Sequence, residues 1–304
     1  MILRHAALAA ATLLAACTTA PMPHAPLTWA DLTSRPRPSP DATLRYGTDA
    51  MQKVDVWLPR AAGPHRTVLM VHGGCWQSDI ADRRLMDWVA DDLRSAGYAV
   101  WNIDYRGVDR AGGGYPGTFA DAAAATDLLR QEGKRFDLDL SHVVAIGHSA
   151  GGHLALWLAG RPRLPPASPL ADGRLLPIAH VISLGGLPDL EATAASPDNG
   201  CGTEVVARLI GQDRADPYAD TSVPRLLPLG VPQDLVNGRA DRIIPFRMAT
   251  DYIARARAAG DRATLHAVAD TGHVELVTPG TPAWAEVKRI LAATFADHAA
   301  GAAR

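Results

Sequence analysis

This sequence predicts an α/β domain built on a mostly parallel sheet, and three observations predict it. From about residue 41, short β-branched runs alternate with helical stretches, the pattern of repeated β-α units. One apolar run, residues 143–146, leads into Gly147-His148-Ser149-Ala150-Gly151 and then a helix-like stretch at 152–159. In that strand–turn–helix context the glycines let the backbone turn sharply and push a serine hydroxyl into the open. The 304 residues, 47% hydrophobic and 20% charged, suit one large domain or two small ones with a real core.

Each element has its own signal. Residues 53–58 alternate polar and apolar, which predicts a half-exposed strand. Residues 67–71 are a continuous apolar run and predict a buried one. Leu85, Trp88, Val89 and Leu93 give 83–96 helical spacing, and Gly97 stops it. Residues 98–103 predict a third strand, and the Ala-rich 119–130 a helix. After the serine turn come strands at 180–184 and 234–236 and a helix at 246–259 closed by Gly260. A strand at 264–268 and a helix at 283–298 end the chain. Irregular stretches at 105–117, 161–177 and 187–203 are long for a compact domain, and such loops tend to be functional.

The first 40 residues differ. Met1-Ile2-Leu3-Arg4-His5 is a short positive start, and 6–16 is an apolar stretch of signal-peptide length. It ends in Leu14-Ala15-Ala16-Cys17, which resembles a bacterial lipobox. That resemblance implies lipid on Cys17 as the first mature residue. Thr18, rather than Asp, implies an exported domain at the outer membrane, or else one facing the periplasm, and which face of the membrane it occupies stays open. Residues 18–40 hold Pro21, Pro23, Pro26, Pro36, Pro38 and Pro40, which predicts an extended tether. The expected organisation is therefore signal peptide 1–17, tether 18–40 and catalytic domain 41–304. A net charge near −2 with no basic block argues against nucleic acid. No Cys/His spacing suggests zinc and no G-x-G-x-x-G suggests a dinucleotide, so no metal or cofactor is expected.

Ser149 is the candidate nucleophile. Its hydroxyl is too weakly acidic to attack unaided and needs a base and oxyanion donors. The base should follow both the serine and the acid, and only His266, His273 and His298 are far enough along. His266 sits within a strand pattern, and His298 at a helix end, where a cation suits the dipole. His273, in Thr271-Gly272-His273 after the last strand, is the expected base. Asp241, in the loop after 234–236, is the expected acid, unless it only pairs with Arg239 or Arg242; Asp189 is the alternative. Gly73 and Gly74, after strand 67–71, can bring backbone N–H groups to a substrate oxygen, with the N–H of Ala150 as partner donor. His72 and Trp76 flank the glycines and are expected to line the substrate pocket. Gly152 and His153 are expected to pack the elbow helix on the sheet, and Asp104-Tyr105-Arg106 to fix a turn beneath the site. Glu275 is expected to be solvated or capping.

Together these motifs resemble the α/β-hydrolase fold, in its esterase, arylformamidase and hormone-sensitive-lipase-like branch. They are Tyr46-Gly47, Gln52-Lys53-Val54-Asp55-Val56, His72-Gly73-Gly74-Cys75-Trp76, Asp104-Tyr105-Arg106, Gly147 to His153, Gly238 with Asp241 and Pro245, and Gly272-His273. The resemblance implies eight mostly parallel strands with a triad at their carboxyl edge. Many lipase-like relatives carry His-Gly-Gly-Gly; Cys75 and Trp76 here look closer to the arylformamidase and small-ester group. In this fold the loops carrying Cys75 and Cys201 share one sheet edge. With Cys17 lipidated and the domain exported, these two could form a disulfide, the alternative being two free thiols. The activity implied is hydrolysis of a small ester, or of an N-formyl aryl amide. A tethered, non-catalytic binding module is the reading from another class.

Overall fold

The structure, a computed structural model, describes residues 25–171 and 175–302. Its frame is one eight-stranded sheet: β1 (Ala42–Arg45), β2 (Lys53–Trp57), β3 (His65–Val71), β4 (Tyr98–Ile103), β5 (Leu138–His148), β6 (His180–Leu184), β7 (Gln233–Gly238) and β8 (Ala263–Val268). The spatial order is β1-β2-β4-β3-β5-β6-β7-β8. β1, β2 and β4 pair antiparallel, and every later pairing is parallel. This is the α/β-hydrolase fold that the sequence predicts.

The helices are α1 (Trp29–Thr33), α2 (Asp87–Ser95), α3 (Gly117–Glu132), α4 (Ala150–Gly160), α5 (Leu190–Ala194), α6 (Glu204–Ile210), α7 (Arg247–Ala258) and α8 (Pro282–Ala302). They cover both sheet faces. Phe119 of α3, Trp157 of α4 and Tyr252 of α7 pack with Trp101 and Ala145 on one side. Trp88 of α2 and Trp284 and Leu291 of α8 pack with Met70 and Ile146 on the other. Central strands covered on both faces are buried throughout, and β4 and β6 are buried at every position, with Asn102, His180 and Ser183 the polar residues among them.

Two expectations need correction. β2 is buried rather than half-exposed, and its polar Asp55 is tolerated because Arg83 Nε donates to it at 2.6 Å and Thr43 Oγ1 at 2.5 Å. Residues 25–40 are not an extended tether but lie on the domain. α1 buries Leu32 completely, and Trp88 Nε1 donates to the Pro36 carbonyl at 3.1 Å. Buried Leu32 and hydrogen bonds such as this one hold a Pro-rich segment that composition alone reads as free. Residues 18–24 lie outside the described residues.

Candidate active site

β3, β5, β7 and β8 are parallel, so the turns leaving their carboxyl ends gather at one edge of the sheet. Those turns carry Gly73-Gly74, Ser149, Asp241 and His273 respectively. Ser149 sits between β5 and α4 with φ 55° and ψ −121°, a conformation that a non-glycine residue rarely adopts. Its amide donates to Leu184 O at 2.8 Å, which locks the turn to β6. The flanking glycines are sterically required. A Cβ on Gly147 would stand 2.0 Å from Gly151 O, and one on Gly151 would stand 2.2 Å from Val71 O.

His273 Nδ1 donates to Asp241 Oδ2 at 2.7 Å. The carboxylate cannot donate, so Nδ1 carries the proton and Nε2 is left as the basic nitrogen. Asp241 is itself fixed by the amides of Ile243 and Ile244, which donate to Oδ1 at 2.8 and 2.9 Å. Ser149 and His273 line one cavity of about 320 Å³, although no hydrogen bond joins their side chains among the described residues. Gly74 also lines it, and a Cβ on Gly73 would lie 3.0 Å from the Ser149 Cβ. The loop backbone therefore lies directly against the elbow. Ala150 opens α4, whose first N–H groups have no intrahelical acceptor.

The other candidates fall elsewhere. Asp189 caps α5, accepting from Ala192 N at 3.0 Å, and pairs with Arg255. His266 is engaged by Asp234 and Glu286, and His298 stacks on His142 at 4.2 Å. Glu275 is buried, accepting from Leu27 N and Gly272 N.

His72 and Trp76 do not line the cavity, which corrects the expectation. His72 is buried beneath the glycine loop, with its ring nitrogens 2.6 Å from Gly73 O and 3.0 Å from Asp104 Oδ1. Tyr105 stacks on that ring at 4.3 Å, and its hydroxyl donates to His72 O at 3.0 Å. Cys75 and Trp76 have φ of 52° and 54°, and this left-handed turn accompanies the burial of the indole on α4. There Trp76 Nε1 donates to His153 Nδ1 at 3.3 Å. His153 Nε2 in turn donates to Thr221 O, and burial pushes its pKa down to about 4. Thus His153 does pack α4, but through an imidazole kept neutral. His148 is neutral too: burial, then the repulsion a second cation would meet beside the His273 ring, hold its pKa well below the imidazole value. Its Nε2 donates to the His273 carbonyl at 3.2 Å.

Cys75 and Cys201 form a disulfide, with Cα atoms 5.2 Å apart. Cys75 and Gly200 both line the cavity, so the bridge pins the irregular 187–203 segment beside the glycine loop. The remaining wall was not foreseen. Trp29 and Thr33 come from α1, and Ile80, Leu85 and Ile243 from loops and the turn before α2. Ile80 is an isolated apolar residue in a polar run, the one signal in sequence that could have marked it. Among the described residues no cluster of three or more His, Cys, Asp or Glu is arranged to hold a metal.

A serine on a strained strand-to-helix turn, opposite a carboxylate-held imidazole, at the carboxyl edge of an eight-stranded sheet, is the site architecture of an α/β-hydrolase. Within that class the chain belongs to the BD-FAE family, whose sequence model matches residues 54–253. A truncated carbohydrate esterase from gut microbiota is 18% identical, with a TM-score of 0.71, over 84% of this chain and 97% of that one. Esterase B from Lactobacillus rhamnosis is 21% identical, TM-score 0.70, over 86% and 88%. Thermogutta terrifontis esterase 2, phosphonylated by sarin, is 20% identical, TM-score 0.69, over 87% and 95%. At these identities the likeness is one of fold. A curated relative, the non-reducing polyketide synthase ausA of Aspergillus calidoustus, is 36% identical over 145 residues, 42% of this chain. The match spans only 6% of that protein's length.

Proposed function

We propose that this chain is a serine hydrolase that cleaves small carboxylic esters through an acyl-enzyme. The observation that carries the reading is the 2.7 Å pair of His273 and Asp241 on the cavity that Ser149 also lines. Its likeness in fold to a carbohydrate esterase and to esterase B supports it. In this reading His273 Nε2 takes the Ser149 proton as Oγ attacks the carbonyl carbon. The amides of the Gly73-Gly74 loop and of Ala150 stabilise the oxyanion. Collapse expels the alcohol, which takes the proton from His273. Water, activated by the same imidazole, then releases the acid. At about 320 Å³ the cavity is at the small end for ligand sites, which favours a compact substrate.

Two measurements test this. A fluorophosphonate should label Ser149, with loss of the label in Ser149→Ala. No labelling would replace the enzyme by a binding module on the same fold. A series of p-nitrophenyl esters beside N-formylkynurenine decides the bond cleaved. Faster turnover of the formamide than of every ester would make the chain an arylformamidase.

We also propose that Cys17 carries lipid and anchors the exported domain at a membrane, the outer membrane by the Thr18 that follows. The support is the Leu14-Ala15-Ala16-Cys17 sequence, which lies outside the described residues. Among the described residues no helix is long and apolar enough to cross a membrane. Each buried methylene contributes about 0.8 kcal/mol, so more than one acyl chain would anchor firmly. Cys17→Ser should therefore release the processed protein from membranes; unchanged retention would sink the proposal.

A further inference from the structure

Among the described residues, three large apolar side chains are exposed: Trp29 at 38%, Ile80 at 58% and Ile243 at 38%. Scattered singly, such residues need no explanation. These three are not scattered. They come from chain positions far apart, and all three line the cavity of Ser149 and His273. No Asp, Glu, Lys or Arg side chain lines that cavity among the described residues. An apolar ring with no fixed charge, set around one nucleophilic serine, is complementary to an uncharged, apolar group beside the reacting carbonyl.

Trp29 is held there by design of the segment around it. A helix of five residues has no stability of its own, so α1 must be fixed by its contacts. Thr28 N and Oγ1 both donate to Asp31 Oδ2 at 2.7 Å, closing the first turn. Leu32 is fully buried. Leu27 N donates to Glu275 Oε1 at 2.6 Å, while Glu275 Oε2 accepts from Gly272 N at 3.1 Å. One buried carboxylate thus ties the entry to α1 to the residue before His273. The Trp29 ring then stands nearly perpendicular to His148 and His273, with centroids 6.0 and 6.4 Å away.

We propose that Trp29, with Ile80 and Ile243, is a specificity-determining collar that binds the apolar acyl group of an uncharged ester. The active site is then completed by a segment that precedes the sheet. This rests on the hydrolase reading and adds to it the substrate class and the residues that select it.

The test uses the full chain and its own fluorescence. The protein has seven tryptophans, and the other six are no more than 6% exposed, so Trp29 is the reporter for aqueous quenchers. The protein is treated with an alkyl fluorophosphonate; Ser149 Oγ bonds to phosphorus as fluoride leaves with the hydroxyl proton. Mass spectrometry confirms the Ser149 adduct. Acrylamide quenching should then fall several-fold, and Trp29→Phe should abolish most of the quenchable component. In parallel, Trp29→Ala and Ile80→Ser should raise KM for a butyrate ester by about tenfold, with a smaller change in kcat, because uniform binding is lost. KM for the acetate should move less. Ile80 is exposed, so its variant keeps the test valid if Trp29→Ala loosens α1. A labelled Ser149 with Trp29 still fully quenchable would overturn the collar, as would equal KM changes for acetate and butyrate. An unlabelled Ser149 would instead overturn the hydrolase reading, and the collar with it.

Discussion

His148 and His153, beside the site, share a residue type with His266 and its neighbour His180 but not an electrostatic setting. The first two lie at and just after the carboxyl end of β5, and their Nε2 atoms donate to backbone carbonyls. Burial keeps both neutral. His180 opens β6, at the amino end of the strand beside β5, and His266 lies on β8. Both meet Asp234 at 2.6 Å, and His266 also meets Glu286 at 2.7 Å. The hydrogen bond to Asp234, and its charge, raise the His266 pKa. Burial works to raise the Asp234 pKa, yet the two imidazoles outweigh it and hold it at about 2. Where burial dominates, as at His148 and His153, the imidazole is neutral; where a carboxylate hydrogen bond dominates, as at half-buried His266, its pKa is raised. The two regions are also held differently, one by a disulfide and the other by ion pairs.

The largest effect should come from exchanging the carboxylates. Asp241 and Asp234 each hold an imidazole at nearly the same distance, 2.7 and 2.6 Å. Asp241→Asn should cost about 10⁴-fold in kcat, because the amide leaves His273 in the wrong tautomer. Asp234→Asn should leave kcat within about twofold and lower stability instead. Steady-state kinetics and urea unfolding on both variants decide this. Comparable kcat losses would dissolve the distinction between the two pairs.

Next in size is the staple. Cys75–Cys201 closes a loop with a sequence separation of 126, and removing such a bridge should cost roughly 2–5 kcal/mol. The cost should be indifferent to salt, unlike that of the ion pairs across the sheet. A Cys201→Ala variant with an unchanged urea midpoint would contradict it. Cys75 also occupies a left-handed position, where glycine would relax the backbone. Cys75→Gly should therefore lose less stability than Cys75→Ala.

Much of this was legible in the sequence. Strands 98–103 and 180–184 read true to the residue because buried central strands are short, predominantly apolar runs with β-branched residues. The positions of Ser149, Asp241 and His273 followed from turns after strands, which a parallel sheet gathers at one edge. Three features were not legible. β1 is only four residues long and has no apolar run to mark it. The contacts of α1 depend on Glu275, some 248 residues from Leu27, a distance over which composition carries no information. Trp76 follows the glycines, a place that suggests a pocket wall, but it and Cys75 take positive φ and its indole is buried against His153, and no local rule announces that for non-glycine residues.

The neutral histidines make an acid-side prediction. His153 has its pKa lowered by burial to about 4 in the folded protein, against 6.5 for the free side chain. A lowered folded value means the unfolded chain binds the proton first. Stability is therefore complete above about pH 6.5 and falls as pH drops toward 4. The shift is worth about 3 kcal/mol at about 1.4 kcal/mol per unit. His153→Gln should flatten this part of the profile while lowering stability at neutral pH. An unchanged slope in the variant would remove His153 as its source.

The charged histidine gives the smallest effect, of opposite sign. His266 has a raised folded pKa, so its stabilising contribution is fully present below about pH 6.5 and is lost as pH rises through the raised value. Asp234 is lowered to about 2, so its contribution is present above the unfolded carboxylate value and lost only as pH falls through about 2. The pair therefore acts fully between about pH 4 and 6.5, the window in which His153 is losing its own contribution. Partial exposure and salt limit the pair to about 1 kcal/mol. His266→Asn should lower the urea midpoint at about pH 5.5 and have little effect at about pH 9, and the pH 5.5 effect should shrink at high salt. His153→Gln should show no such salt dependence, because its ring faces a carbonyl and an indole N–H rather than a charge. An equal salt response in the two variants would mean that partner charge, and not burial alone, governs both sets of histidines.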